Sequence, residues 1–148
     1  MKKLILLLFP LLVLIPLKTS AQSEIPLMVS QCELNGIDYQ RSVVFVVKFQ
    51  EAIQSNDKVK VASFVEYPLR VNTSISNGKK YKITSKYITN KEQLIKNYDA
   101  VFTKALRVKI LQQDSKDIFC NYQGAMIADG GVWFMEQNKE MRVIAVNI

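Results

Sequence analysis

Three residues around one predicted strand could together bind an anionic ligand: Tyr67, Arg70 and Asn72. A guanidinium group donates parallel hydrogen bonds to carboxylate or phosphate oxygens, so Arg70 would hold the charge while the Asn72 amide orients the ligand. The residues also fit a structural role, because Arg70 and Asn72 alternate as on the solvent face of an edge strand. In that interpretation Tyr67 is a core aromatic residue with a satisfied hydroxyl.

A second group combines two aromatic residues with an amide: Asn121, Tyr122 and Trp133. Tyrosine and tryptophan join a large apolar surface to one polar atom, which suits a pocket mouth or an interface. The alternative is that both aromatic side chains lie in the core and that Asn121 bonds to a neighbouring turn.

The acid–base residues form a weaker group, Glu66, Tyr98 and Asp99. The sequence contains no histidine, so an imidazole base is excluded. Tyr98 and Asp99 are adjacent, and adjacent residues point about 100° apart on a helix. We therefore interpret Asp99 as an exposed carboxylate and assign no catalytic residue. The five glycines are scattered among turns, which excludes a glycine-rich phosphate loop, and we predict no cofactor.

The sequence has two cysteines, Cys32 and Cys120. In an oxidising compartment they could form a disulfide that ties the N-terminal segment to a strand. Alternatively, Cys120 is a buried small hydrophobic residue and Cys32 is a free thiol. Two thiols without any histidine are a poor ligand set for zinc, so we predict no metal site.

Four lysines mark a predicted hairpin: Lys79, Lys80, Lys82 and Lys86. This basic hairpin could contact an acidic protein, as in an inhibitor or immunity-type complex. Lysines on an edge strand also prevent unwanted pairing with other sheets, which is the alternative explanation.

The first 21 residues have the three parts of a secretory signal peptide. Two lysines precede an apolar run over 4–17, and Thr19-Ser20-Ala21 supplies small residues for cleavage after Ala21. As a helix the apolar run would reach about 21 Å, less than the roughly 30 Å hydrocarbon core, so we expect no stable membrane anchor after cleavage. The pattern predicts a periplasmic or secreted protein.

Removal of this leader changes the charge of the protein. The chain of 148 residues carries a formal net charge of +7, and loss of Lys2, Lys3 and Lys18 lowers it to +4. That balance is modest for a single domain, and an exported protein rarely meets nucleic acid, so we predict no nucleic-acid partner.

Local patterns predict an order of elements. Residues 22–40 are interpreted as an irregular segment, and helical spacing then places Phe45, Phe49, Ala52 and Ile53 on one face. A short second helix carries Val61, Phe64 and Val65 and ends before Pro68.

The next predicted element is a hairpin with strands over 69–74 and 79–88 and a turn at Asn77-Gly78. A third helix begins at a capping box, Thr89-x-x-Glu92, and keeps helical spacing as far as Phe102, with a further turn or two around Leu106. The remaining chain predicts an antiparallel meander of three or four strands. Helices followed by strands in this order indicate an α+β protein.

Several segments resemble the NTF2-like (cystatin-like) superfamily. They are Phe49-Gln50-Glu51-Ala52-Ile53 with Asp57, Phe64 and Tyr67-Pro68, then Asn121-Tyr122-Gln123-Gly124, Asp129-Gly130-Gly131-Val132-Trp133-Phe134 and Arg142-Val143-Ile144-Ala145-Val146-Asn147. The resemblance implies one domain over 41–148, with three to four helices packed on a curved antiparallel sheet to form a cone with a pocket at its open end. Members include enzymes as well as binding modules, and they commonly dimerise through the sheet.

We therefore predict an exported small binding module of unknown ligand that uses the NTF2-like pocket or a sheet face. Its partner would be a small molecule or a protein, and the sheet could form a homodimer. The alternatives are a protein inhibitor or immunity-type partner and, ranked last, a small acid–base enzyme without histidine. Enzymatic members usually place an Asp inside the cone, and no Asp of this chain lies clearly at an inward strand position.

Overall fold

A computed structural model describes residues 27–76, 78 and 81–148 of the chain. The leader and its cleavage site, Asn77 of the predicted turn, and Lys79 and Lys80 of the basic hairpin lie outside the described residues. The helices are α1 (Leu27–Leu34), α2 (Tyr39–Gln54), α3 (Lys58–Ser63), α4 (Lys91–Lys96), α5 (Tyr98–Val101) and α6 (Lys104–Gln112). Within the described part, none of these helices is long and apolar enough to cross a bilayer.

The strands form one open, curved sheet in the order β2-β1-β6-β5-β4-β3, which confirms the α+β prediction. Their bounds are β1 (Val65–Ser76), β2 (Tyr81–Ile88), β3 (Phe119–Asn121), β4 (Gly124–Ile127), β5 (Val132–Gln137) and β6 (Glu140–Asn147). The predicted hairpin and meander are both present as antiparallel pairs. The prediction of an antiparallel sheet is wrong at one pairing, because β1 and β6 run parallel and make the sheet mixed.

Helix α2 packs its apolar face against the sheet, as its helical spacing predicts. Phe45, Phe49, Ala52 and Ile53 are all buried. The Phe45 ring lies 4.8 Å from the ring of Phe134 on β5, measured between centroids. This contact fixes the helix on one face of the sheet, which we call the helix face.

The N-terminal segment is more ordered than the sequence indicates. Residues 27–34 form α1, within a segment interpreted as irregular, and α2 begins at Tyr39 because the Asp38 side chain accepts a hydrogen bond from the Arg41 N–H at 2.9 Å. Cys32 and Cys120 are joined in a disulfide that links α1 to β3. The apolar pattern of α1 is weak, and the disulfide supplies a covalent link in addition to its limited packing.

The second helix ends earlier than predicted. Asp57 caps its start by accepting from the Lys60 N–H at 2.9 Å, but the helix stops at Ser63 and β1 begins at Val65. Pro68 therefore lies within a strand and follows a cis peptide bond after Tyr67. The pairing between β1 and β6 shifts register over this stretch, which accommodates a residue without a backbone N–H.

The predicted third helix is divided into α4, α5 and α6, so the described residues contain more helices than the three or four expected. Asn97 ends α4, and Thr103 begins α6 by accepting from the Leu106 N–H at 3.2 Å. The capping box also lies one residue later than predicted: Asn90 accepts from the Gln93 N–H, and Gln93 Oε1 accepts from the Thr89 N–H.

Candidate functional site

The space between the helices and the sheet is filled by aromatic side chains. The Phe45 ring stacks near Phe49 and meets Phe64 edge-on, with centroids 5.8 and 5.7 Å apart. Phe49 in turn contacts Phe102, and Phe102 and Phe134 are fully buried. A tightly packed interior of this kind leaves candidate binding sites at its margins and on the other side of the sheet.

Three of the predicted site residues meet in one pocket on the sheet face away from the helices. Arg70 and Asn72 of β1 and Trp133 of β5 line a cavity of about 330 Å³. We call it the outer-face pocket, and its lining residues are Arg70, Asn72, Ser74, Ile83, Gln123, Trp133, Ile144 and Asn147. Its volume lies at the low end of the range of about 300–1,000 Å³ for small-molecule sites.

Strand alternation explains why these side chains share a face. Leu69 and Val71 are buried on the helix face, so Arg70 between them must point to the opposite side. The Phe134 ring contacts Phe45 of α2 on the helix face. Its neighbour Trp133 lines the outer-face pocket together with Arg70. Strand β6 lies between β1 and β5 and brings the two residues together.

A chain of hydrogen bonds holds the floor of the outer-face pocket. The Ser85 hydroxyl donates to Asn72 Oδ1, and Asn72 Nδ2 donates to Asn147 Oδ1, both at 2.7 Å. Asn147 Nδ2 and Trp133 Nε1 both donate to the Gly130 carbonyl, at 2.6 and 3.1 Å. Hydrogen-bonding side chains from four strands are therefore positioned before any ligand arrives.

The other predicted site residues lie elsewhere. The Tyr67 hydroxyl donates to the Ala62 carbonyl at 3.1 Å, and burial, with a smaller effect of the Glu92 carboxylate, raises the pKa of Tyr67 to about 12. Asn121 Oδ1 accepts from the Gln123 N–H in the turn between β3 and β4. Tyr122 in that turn is 84% exposed and contributes nothing to the pocket. The pocket thus contains half of the six predicted residues.

Comparison of this chain with protein-family models, with curated proteins and with solved structures found no match. The function is therefore inferred from the geometry and chemistry of the described residues.

The acid–base residues form no shared site. Tyr98 is buried, whereas Asp99 is exposed and bonded to Lys58 and Arg107, each at 2.8 Å. Hydrogen bonds from Lys58 and then Arg107 lower the pKa of the Asp99 carboxyl, which makes it a weaker base.

Among the described residues, no group of three or more potential metal ligands lies together. Lys82 and Lys86 of the basic hairpin are exposed.

Sequence reasoning missed the other five residues of the outer-face pocket: Ser74, Ile83, Gln123, Ile144 and Asn147. Ile83 could have been found, because it lies opposite Ser74 across the hairpin whose turn the sequence predicts. Asn147 could not, since its place beside Asn72 depends on the parallel pairing of β1 with β6.

Proposed function

We propose that this chain is an exported binding module that recognises its ligand at the outer-face pocket. The observation that carries the proposal is the convergence of Arg70, Asn72 and Trp133 in one cavity on a sheet face away from the helices. Residue types that suit recognition are brought together there from strands separated in sequence.

The chemistry of the pocket favours a small ligand with an anionic group and an apolar part. Arg70 is exposed and provides the positive charge. The Asn72 and Asn147 amides are held by hydrogen bonds and retain capacity for a further bond each. Ile83 and Trp133 supply apolar surface on opposite sides of these polar groups.

The compartment is part of the proposal. A disulfide is typical of oxidising environments such as the periplasm or the extracellular space. The Cys32–Cys120 bond therefore supports the export that the first 21 residues predict.

Membership of the NTF2-like superfamily also remains a proposal. Its support is the resemblance of the sequence segments together with the order of elements, in which helices and a hairpin precede a meander on one curved sheet. The binding function proposed above depends on the pocket and stands without that membership.

Native mass spectrometry of protein purified under non-denaturing conditions tests the proposed function. We expect a non-covalent adduct of small mass that is lost in the Arg70→Glu variant, because charge reversal repels the anionic group. Lys86→Glu is the matched control, since Lys86 lies on the neighbouring strand and points to the other face. An adduct retained by Arg70→Glu, or lost equally in both variants, would contradict the proposal.

A second copy of the chain is the alternative occupant of this face. Ile83 and Tyr87 on β2 are 67% and 57% exposed, and both point to the same side as Arg70. Exposed apolar side chains beside a tryptophan are typical of interfaces. Sedimentation equilibrium of the wild type and Ile83→Lys distinguishes the two, because a homodimer would dissociate in the variant while a small-ligand module stays monomeric in both.

A further inference from the structure

A second concave surface lies on the opposite side of the sheet from the outer-face pocket. It is a groove of about 660 Å³ between the first half of α2, the end of α3 and the start of β6. We call it the helix–hairpin groove, because it lies between α2 and the hairpin formed by β5 and β6, which is separate from the basic hairpin. Its lining shares no residue with the outer-face pocket.

The floor of the helix–hairpin groove is apolar and rigid. Phe45 and Phe64 form it, and their rings are 5.7 Å apart in an edge-on arrangement within the aromatic core. Val44 extends the apolar surface to the rim, where it is 53% exposed, and Met141 borders the other side. A ligand could rest on this floor without rearrangement of the core.

Two cations of the rim are fixed by bonds to the backbone. Arg41 pairs with Glu136 at 2.9 Å and also donates to the Lys139 carbonyl. Arg142 pairs with Glu140 and donates to the Ser63 carbonyl at the end of α3. Both guanidinium groups are therefore oriented, and each retains N–H donors beyond those already used.

The third cation, Lys48, has no ion-pair or hydrogen-bond partner among the described residues. It lies one helical turn from Val44 on the same side of α2 and lines the groove beside the apolar floor. Against these three cations the groove lining contains a single carboxylate, Glu140. Arg41 and Arg142 are each paired with a glutamate, so the groove combines an apolar floor with one cation, Lys48, that is unpaired among the described residues.

We infer that the helix–hairpin groove binds a single-tailed anionic amphiphile, a molecule with one carboxylate and an unbranched apolar chain. The chain would lie on Phe45 and Phe64, and the carboxylate would pair with Lys48. The volume is well within the range of about 300–1,000 Å³ for small-molecule sites. Charge complementarity selects a carboxylate over an alcohol of the same length.

Isothermal titration calorimetry with three probes separates the two parts of this recognition. Decanoate, kept below its micelle-forming concentration, carries both the chain and the charge, whereas decanol lacks the charge and acetate lacks the chain. We expect decanoate to bind, decanol to bind about fivefold more weakly and acetate to give no detectable heat.

Two groove variants and two controls locate the binding. Lys48→Glu should weaken decanoate binding about fivefold or more, and Val44→Asn should weaken it through loss of apolar surface without a change of charge. Lys96→Glu makes the same charge change at an exposed position of α4 outside the groove and should have no effect. Arg70→Ala should also have no effect, because Arg70 lines the outer-face pocket and not this groove. Binding at the two sites can therefore be tested independently.

Three outcomes would overturn the inference. Equal affinity for decanoate and decanol would show that the cationic rim is not used. Equal losses in Lys48→Glu and Lys96→Glu would show that binding follows net charge alone. Binding to vesicles of anionic phospholipid without binding to monomeric decanoate would identify a membrane surface, rather than a single amphiphile, as the partner.

Discussion

Two tyrosines, Tyr67 and Tyr98, differ in what their hydroxyl groups contact. The Tyr67 hydroxyl donates to the Ala62 carbonyl and so connects β1 to the end of α3. The Tyr98 hydroxyl is buried and has no hydrogen-bond partner among the described residues. Lys58 and Arg107 lie over the Tyr98 ring instead, 5.2 and 5.6 Å from its centroid. The ring of Tyr98 is therefore stabilising, whereas its oxygen is not.

The paired substitutions Tyr67→Phe and Tyr98→Phe should have different effects on the free energy of unfolding. Tyr67→Phe removes a made hydrogen bond and should cost about 1 kcal/mol. Tyr98→Phe removes a buried polar atom without a described partner, and Lys58 and Arg107 can still lie over the phenylalanine ring. The variant should therefore be as stable as the wild type or more stable. Urea unfolding of both variants at pH 7 measures the difference, and equal losses would contradict this account.

Tyr67 should also make the free energy of unfolding depend on pH in the alkaline range. Its pKa is raised from 10.0 to about 12, first by burial and then by Glu92, so the folded state keeps a proton that the unfolded state releases. The contribution of Tyr67 to stability is complete below pH 10 and is lost as the pH rises toward 12. Urea unfolding of the wild type and Tyr67→Phe across this pH range should show that the difference between their free energies of unfolding becomes smaller as the pH rises.

Asp99 should make the free energy of unfolding depend on pH in the acid range, where stability is lost as the pH falls. Hydrogen bonds from Lys58 and Arg107 lower its pKa from 3.8, so its ionised form favours the folded state. This contribution is complete above pH 4 and is lost as the pH falls through the lowered pKa. Asp99→Asn should be less stable than the wild type at pH 7 and equal to it in strong acid; a difference that persists there would contradict the assignment.

At the scale of the element, the short connection between β3 and β4 depends on one glycine. Gly124 has φ of +132°, and a Cβ added there would lie 2.8 Å from the Phe134 carbonyl oxygen of β5. The close approach lets Ala125 pair with Phe134, which sets the register between β4 and β5. Because the obstacle is backbone, it cannot rotate away as a side chain could.

Gly124→Ala should therefore lower the free energy of unfolding by about 1–3 kcal/mol. Gly36→Ala is the control, since Gly36 also has a positive φ, +71°, but an added Cβ would meet no atom within 4 Å. The difference between the variants in thermal unfolding measures the contact with β5. A loss no greater than that of Gly36→Ala would show that the strands adjust without cost.

At the scale of the whole molecule, the disulfide closes a separation of 88 residues. It joins α1, which precedes the main helices, to β3 at the edge of the sheet. Both sulfur-bearing residues are fully buried, so the bond forms part of the core. Helix α1 is short, and Leu27 and Leu34 at its ends are exposed, so apolar burial alone anchors it weakly.

The double variant Cys32→Ala/Cys120→Ala should be about 2–5 kcal/mol less stable than the oxidised protein. Amide hydrogen exchange should accelerate most in α1 and β3. In α2 and β6 it should accelerate only as much as the lower global stability requires. Exchange in α1 that is unchanged would show that packing, not the disulfide, holds the helix.

Local patterns predicted much of this fold because their information lies within a few residues. Phe45 and Phe49 repeat at helical spacing, and Asp57 caps a helix, so both features could be seen in the sequence. The division of the third helix at Asn97 and Thr103 could not, because the apolar spacing continues through the break.

The candidate sites show the same division. Alternation along β1 placed Arg70 and Asn72 on one face, but residue type alone could not distinguish Trp133, in the pocket, from Tyr122, in an exposed turn. The helix–hairpin groove was missed because Lys48 and Arg142 become neighbours only when α2 packs beside β6.

The position of β6 in the sheet has a consequence for the order in which the protein can be completed. β1 and β2 pair with each other, as do β3, β4 and β5. Among the described strands, these two ribbons are joined in the sheet through β6, which follows them in sequence. Before residues 140–147 emerge from the ribosome, each ribbon has an open edge toward the gap. Until β6 is added, both edges are open to pairing with other chains.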